Sequence, residues 1–394
     1  MPKTKIINFE WFCDGNHFDE TEFEKNRIQY ILNDIKEAAD AGYDTIIGIY
    51  LLDGFLIQNP SVFLPNMRLI RDEARKMGIQ EIYLLSGQGE FFKDLDFPTF
   101  YFDYNLRTTY NAYKNELDQL THYNSSRDKF LFLGGAVARP NRVGLLSRYY
   151  DMGLLDAAEW TFFPPFSKDD DDWCRNHLSH YSDSEYETFL KTCTRSIDEL
   201  YDNVKHYFGN YHALGTDLFW YDILKKEFIK NFSYVDHVHF KNTSLSIISE
   251  GINFWWWSSN NFFVTEKFWR AVVNGHPFIF SGHPDQFKYI KQMGFRTFEK
   301  YMLIKDYAML DNEADRIDAI VKNTEYWLEN HKLFADQIEK DVLFNKDMMM
   351  KHVAIQNNRL KSFVETLGVE QSDIDFYLDR KGYEQLIRIP PDGF

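Results

Sequence analysis

"YDTIIGIYLL" spans residues 43–52, and its reading decides the fold. The run is almost wholly apolar or aromatic, without the alternation of a strand that keeps one face in water. Such a run suits a strand covered on both faces, as in a parallel sheet. Upstream, Gly42 stops a helix over 21–41 in which Ile28, Ile31, Leu32, Ile35 and Ala39 share one face. "KIINFEWF" before it reads as another strand. Downstream, a helix near 61–77 ends at Gly78, and "EIYLLSG" follows as a third strand. This β-α-β repetition predicts a parallel sheet with helices on both faces. Ligands in such sheets bind beyond the carboxyl ends of the strands, which singles out the loops around Asp14, Asp53 and Glu90.

A helical stretch over 105–122 and the polar connection "HYNSSRDK" (122–129) lead to a restart of the pattern. "FLFLGG" (130–135) is a strand, and "RPNRVGLLSRYYDMG" is a helix with Val143, Leu146 and Tyr150 on one face. A long helix is expected around 183–208. "SLSIISEG" (244–251) and "PFIFSG" are strands, "PDQFKYIKQMG" is a helix, and "FRTF" is a last short strand or turn. The expected organisation is an N-terminal α/β domain over 1–125 and a second α/β domain over 126–310. A largely helical segment over 311–394 then packs on both.

With 394 residues the chain is long enough for two cores. An aromatic share of 18% supplies ample area to bury, so disorder is not expected over most of the length. The net charge of −16 argues against a surface that grips nucleic acid through its phosphates. Cys13, Cys174 and Cys193 are too scattered for a disulfide framework or a metal knuckle, which suits a reducing compartment. "MPKTKIINFEWF" lacks a signal-peptide core, and "FWWWSSNNFFV" is too short and polar to span a bilayer. A cytoplasmic protein without a transmembrane segment is expected.

"FFVTEKFWRAVVNGHPFIFSG" (262–282) reads as a helix with clear punctuation. Thr265 is the N-cap, Phe268, Ala271 and Val272 share an apolar face, Gly275 stands at C′, and Pro277 forbids continuation. Glu266 suits the first turn; Lys267 and, one turn in, Arg270 oppose the helix dipole by roughly 0.3–1 kcal/mol each. A helix start after a strand is an anion site, and a phosphate docked there would make Lys267 favourable. Glu266 beside it would accept hydrogen bonds from ribose hydroxyls. Arg139 and Arg142 repeat the theme after the strand at 130–135.

The run "SLSIISEG…FFVTEKFWRAVVNGHPFIFSGHPDQFKYIKQMGFRTF" resembles the donor-binding region of nucleotide-sugar glycosyltransferases. It is most similar to family 10, the fucosyltransferase-like group, and to related bacterial and phage-borne enzymes. The shared elements are Thr265, Glu266, Lys267, Gly275, Pro277 to Ile279, and Gly294 to Phe298. "FLFLGGAVARPNRVGLLSRYYDMGLLD" resembles the opening of the same domain, and the likeness covers about residues 129–300. It implies two Rossmann-like domains facing a cleft (the GT-B type), with the nucleotide sugar held by the second. Carried over, Thr265, Glu266 and Ser246 belong to the donor site, Glu266 on the ribose. Lys267, with Arg139 or Arg142, meets the phosphates without a metal. The first 125 residues match no family motif, so the fucose preference does not transfer.

The attacking hydroxyl needs a base if configuration inverts, and Asp14 or Glu90 would supply it, Asp14 first because Gly15 and Asn16 suit a tight loop. "KDDDDW" (168–173) reads as a solvated loop. His237 and His239 alternate on an expected strand and could bind a metal, but no third ligand is evident. His276 reads as structural, whereas His283 is placed to reach the cleft. Beyond the nucleotide-sugar co-substrate no cofactor is expected. The acceptor is a glycan, a lipid-linked glycan, a protein or a modified nucleobase. A non-catalytic nucleotide-sugar sensor or structural protein of the same fold, and a glycoside hydrolase, are the competing classes.

Overall fold

The computed structural model describes residues 2–9, 20–50, 60–86, 97–120, 123–134, 140–161, 237–250 and 264–378. Along the chain these form β1 (Thr4–Asn8), α1 (Glu20–Asp40), β2 (Thr45–Tyr50), α2 (Pro60–Lys76), β3 (Glu81–Ser86), β4 (Thr99–Tyr101) and α3 (Tyr104–Tyr113). Next come β5 (Phe130–Leu133), α4 (Pro140–Asp151), β6 (Ala158–Thr161), α5 (His237–Asn242), β7 (Leu245–Ser249), α6 (Glu266–Val273) and β8 (Phe278–Ser281). α7 (Pro284–Gln292), α8 (Glu313–Asn330), α9 (Ala335–Thr366) and α10 (Gln371–Leu378) complete the series. Among the described residues no helix is long and apolar enough to cross a membrane. The described residues fall into two compact units, one up to Arg107 and again from His352, the other between Thr108 and Lys351.

In the first unit β1, β2, β3 and β4 lie in that order and all run parallel. Period-2 alternation sends Ile46 and Leu84 to one face, Ile47, Ile49 and Leu85 to the other. On the first face they meet Ile31 and Ile35 of α1 and Met67 and Ile70 of α2. Both faces are covered, as the continuous apolar run required. The second cover, however, comes from Leu360 and Val364 of α9 and Ile374 and Leu378 of α10, not from a crossover helix. A strand order that only advances sends successive right-handed crossovers to one face, so the other must be closed by a distant segment. Gln356 of α9 fastens it by accepting the Asp103 N–H at 2.9 Å and donating to the Asp103 carbonyl at 3.0 Å.

The second unit holds a parallel sheet in the order β6-β5-β7-β8. In α4 the core face is Leu145, Leu146 and Tyr149, with Tyr149 packed on Phe130 at 4.8 Å; Tyr150 is only half-buried. α6 is buried all round except at Lys267, so it is a core helix and not an amphipathic one. Asn274 caps it and Gly275 follows at φ 61°, the left-handed C′ position that glycine takes without strain. Residues 295–298 form no strand; Phe298 instead sits at φ 61° with its ring edge-on to Phe278. The expected helix over 105–122 stops at Tyr113 and continues as turns.

Candidate functional site

β5 lies between β6 and β7. From β5 the chain passes through α4 to β6 on one side; from β7 it passes through α6 to β8 on the other. Where neighbouring parallel strands send their connections in opposite directions, a crevice opens at their carboxyl ends, and open α/β sheets bind ligands there. The first sheet has no such divergence among its described strands. In the second, the ends concerned are Leu133 and Ser249, and the helices that follow are α4 and α6.

Thr265 caps α6 in an extended conformation, its hydroxyl accepting the Lys267 N–H at 3.3 Å. Glu266 is buried, and its Oε1 takes both Lys267 Nζ at 2.7 Å and Arg270 Nη2 at 3.2 Å. Burial works against the charged form, but Lys267 and Arg270 hold the Glu266 carboxyl well below the usual carboxylate range. A lysine at the positive end of a helix is tolerated here because the preceding residue neutralises it.

Glu250, the residue after β7, is completely buried. Its N–H donates to the Ser281 carbonyl at 2.8 Å, and its Oε1 accepts the Thr265 N–H at 3.2 Å. Oε2 finds no hydrogen-bond partner among the described residues. Burial pushes the Glu250 carboxyl up; Lys267 and the Thr265 hydrogen bond oppose this, and the charge of Glu266 adds to it. From α4, Asn141 Nδ2 reaches Ser249 Oγ at 3.0 Å and the Glu250 carbonyl at 3.2 Å, and Arg142 Nη2 reaches the Ser249 carbonyl at 3.3 Å. Arg142, Lys267 and Arg270 set three positive charges against the two carboxyls of Glu250 and Glu266, and burial disfavours the charged form of Glu250. The corner therefore favours an anion, and the amino end of α6 adds to the field.

The chain matches no protein-family model, no curated protein and no solved structure.

Of the residues singled out from sequence, Arg142, Thr265, Glu266 and Lys267 come together at this corner. Ser246 lies on β7 with its hydroxyl 2.7 Å from His276 Nδ1; His276 Nε2 is 2.9 Å from the Thr243 carbonyl. Both polar ends of that pair are thus engaged in the core. A cavity of about 20 Å³, lined by Leu131, Phe240, Ser246, Lys267 and Arg270 among others, adjoins it. That volume admits about one water, too little for a nucleotide. Asp14, Asp53, Glu90, Arg139, the acidic run 168–173, the expected helix over 183–208 and the aromatic run at 254–257 lie outside the described residues.

Three histidines need correction. His237 and His239 stand on helix α5, not on a strand, and two residues on a helix are about 200° apart. They accordingly face different acids, His237 at 3.8 Å from Glu116 and His239 at 2.7 Å from Glu159. No group of three or more metal-ligating side chains assembles among the described residues. His283 does not reach outward: it caps α7, accepting the Asp285 N–H at 3.1 Å in a capping box with Gln286. Sequence reasoning missed Glu250 and Asn141. The available signal for Glu250 was an acid placed directly after the apolar run of β7.

Proposed function

We propose that the chain is a glycosyltransferase of the GT-B type, moving a sugar from a nucleoside-diphosphate sugar to a hydroxyl acceptor. The observation that carries this reading is the cationic corner at the β5–β7 divergence. There Arg142 and Lys267 begin two helices that follow adjacent parallel strands.

Glycosyl transfer builds negative charge on the departing diphosphate while the anomeric carbon becomes cationic. Positive groups already fixed in place lower that barrier without reorganising. Arg142 is fixed through the Ser249 carbonyl, and Lys267 through Glu266. Lys267 keeps 19% of its side chain exposed, enough to meet a ligand oxygen. Glu266 orients that lysine and offers its carboxylate to the ribose hydroxyls. Asp14, or in second place Glu90, takes the proton of the attacking hydroxyl if configuration inverts. The acceptor is a glycan, a lipid-linked glycan, a protein or a modified nucleobase, and the net charge of −16 disfavours long DNA.

A hydrolase reading draws on Glu250 and Glu266, two carboxyls with pKa values pushed apart. It fits less well, because hydrolysis of a glycosidic bond has no use for the cations gathered at this corner. The test is thermal stabilisation by UDP or GDP, expected in the native chain and lost in Lys267→Ala. Stabilisation without turnover of any activated sugar would indicate a sensor, and no response to either nucleotide would contradict the transferase reading.

A further inference from the structure

Beside the amino end of α6 lies a carboxyl oxygen that its surroundings do not explain. Glu250 is completely buried, and Oε1 faces the start of the helix through the Thr265 N–H at 3.2 Å. Oε2, equally buried, has no hydrogen-bond partner among the described residues. A second buried carboxyl, Glu266, follows Thr265 directly and is ionised by Lys267 and Arg270. Two buried carboxylates at one helix start repel, so the member that no cation touches directly takes the proton: Lys267 faces Glu250, but it is Glu266 that Lys267 and Arg270 contact. Because Oε1 accepts from the backbone, the proton sits on Oε2, which becomes a donor lacking an acceptor. An oxyanion bound at the end of α6 supplies that acceptor. An ionised Glu250 would instead present a negative charge to the same anion.

We propose that Glu250 is a proton-bearing member of an oxyanion site at the β7–α6 corner, so that anion binding and protonation of Glu250 favour one another. The proposal rests on the transferase reading only in taking the anion to be phosphate-like. The charged groups facing Glu250 from the described elements are Lys267 and Glu266 of α6 and, through the Ser249 carbonyl, Arg142 of α4. Linkage makes the coupling reciprocal: the bound anion raises the proton affinity of Glu250 as much as the proton raises anion affinity. Binding therefore weakens as pH rises through the elevated range of Glu250.

Glu250→Gln keeps an acceptor for Thr265 and a donor at the second position but cannot ionise. Affinity for inorganic pyrophosphate, read from thermal stabilisation, is compared in the native chain and this variant at steps from about pH 5 to about pH 10, a range that begins just above the ordinary carboxylate values. The probe's own titration is common to both. The native chain is expected to lose about tenfold more affinity than Glu250→Gln, the effect of one unit of proton affinity. Equal losses, or no binding by either protein, would overturn the proposal. A second measurement does not depend on the variant's folding: sulfate, which stays ionised throughout, is added to the native chain in a pH-stat. Repeated across the same pH range, binding is expected to take up protons once Glu250 of the free chain has ionised, and no uptake at any pH overturns the proposal. UDP and GDP run alongside separate the two ideas. Proton-coupled pyrophosphate binding without nucleotide binding would sink the transferase reading alone, and nucleotide binding with a flat pH comparison would sink this proposal alone.

Discussion

Lys267 Nζ and Glu266 Oε1 stand 2.7 Å apart, on adjacent residues of the first turn of α6. Neighbours on a helix do not face one another, so the contact forms only because both chains are long and Arg270, one turn on, pulls the same carboxylate from the other side. The result is a carboxylate clamped between two cations, with the lysine held at the positive end of the helix.

Removing the clamp leaves Arg270 buried without its carboxylate. Glu266→Gln is expected to cost about 3–5 kcal/mol, the usual effect of breaking a buried pair from one side. Urea denaturation measures it, and a loss under about 1 kcal/mol would show that the pair is effectively solvated.

Thr265 closes the helix start with its hydroxyl and receives Glu250 on its N–H. Thr265→Ala is expected to cost about 1 kcal/mol, with Thr265→Ser restoring most of it. Denaturation midpoints of the three proteins decide, and an alanine variant as stable as the native chain would contradict the capping role.

Gly48 lies where the Phe9 ring crosses β2, and a Cβ there would come within 2.9 Å of Phe9 Cδ2 and 3.0 Å of Leu84 Cδ2. Both neighbours are fully buried and have little room to yield. Gly48→Ala is expected to destabilise by about 1–3 kcal/mol despite the better strand propensity of alanine. A neutral or stabilising result would mean that the ring can move aside.

His276 is fully buried beside Ser246 and Thr243, and burial lowers its pKa to about 4. Its Nε2–H donates to the Thr243 carbonyl, leaving Nδ1 to accept from Ser246. The unfolded chain, with an ordinary histidine near pH 6.5, takes up a proton before the folded chain does. Stability is therefore full above that value and declines as pH falls toward about 4. Between pH 7 and pH 5 the loss from this group is about 2 kcal/mol, and His331, also lowered to about 4, acts in the same direction. His276→Gln should flatten the slope of stability against pH. An unchanged slope would show that other groups set it.

How far these features were legible depends on how local their causes are. The cap at Thr265, the stop at Gly275 and the run of β7 follow from residues within one helical turn of each other, so sequence alone exposed them. The α/β class followed from the apolar run at 43–52, because only a strand covered on both faces tolerates it. What covers its second face was not legible. Leu360 and Val364 are more than 300 residues from Ile47 and Ile49 in sequence, and their helix reads as an ordinary amphipathic one. Glu250 escaped for a related reason. An acid just after a strand usually faces water, but Thr265, fifteen residues on, with Ser281 and Asn141, closes over this one. His237 and His239 misled because alternation over three residues fits a strand as well as one turn of a short helix.

The most direct test of the central claim is the shift in melting temperature of the native chain and Lys267→Ala with UDP and with GDP. At a ligand concentration a hundredfold above its Kd, one nucleoside diphosphate is expected to stabilise the native chain by about 2.7 kcal/mol and the variant far less. No shift with either nucleotide, or an equal shift in both proteins, would contradict a diphosphate site at Lys267.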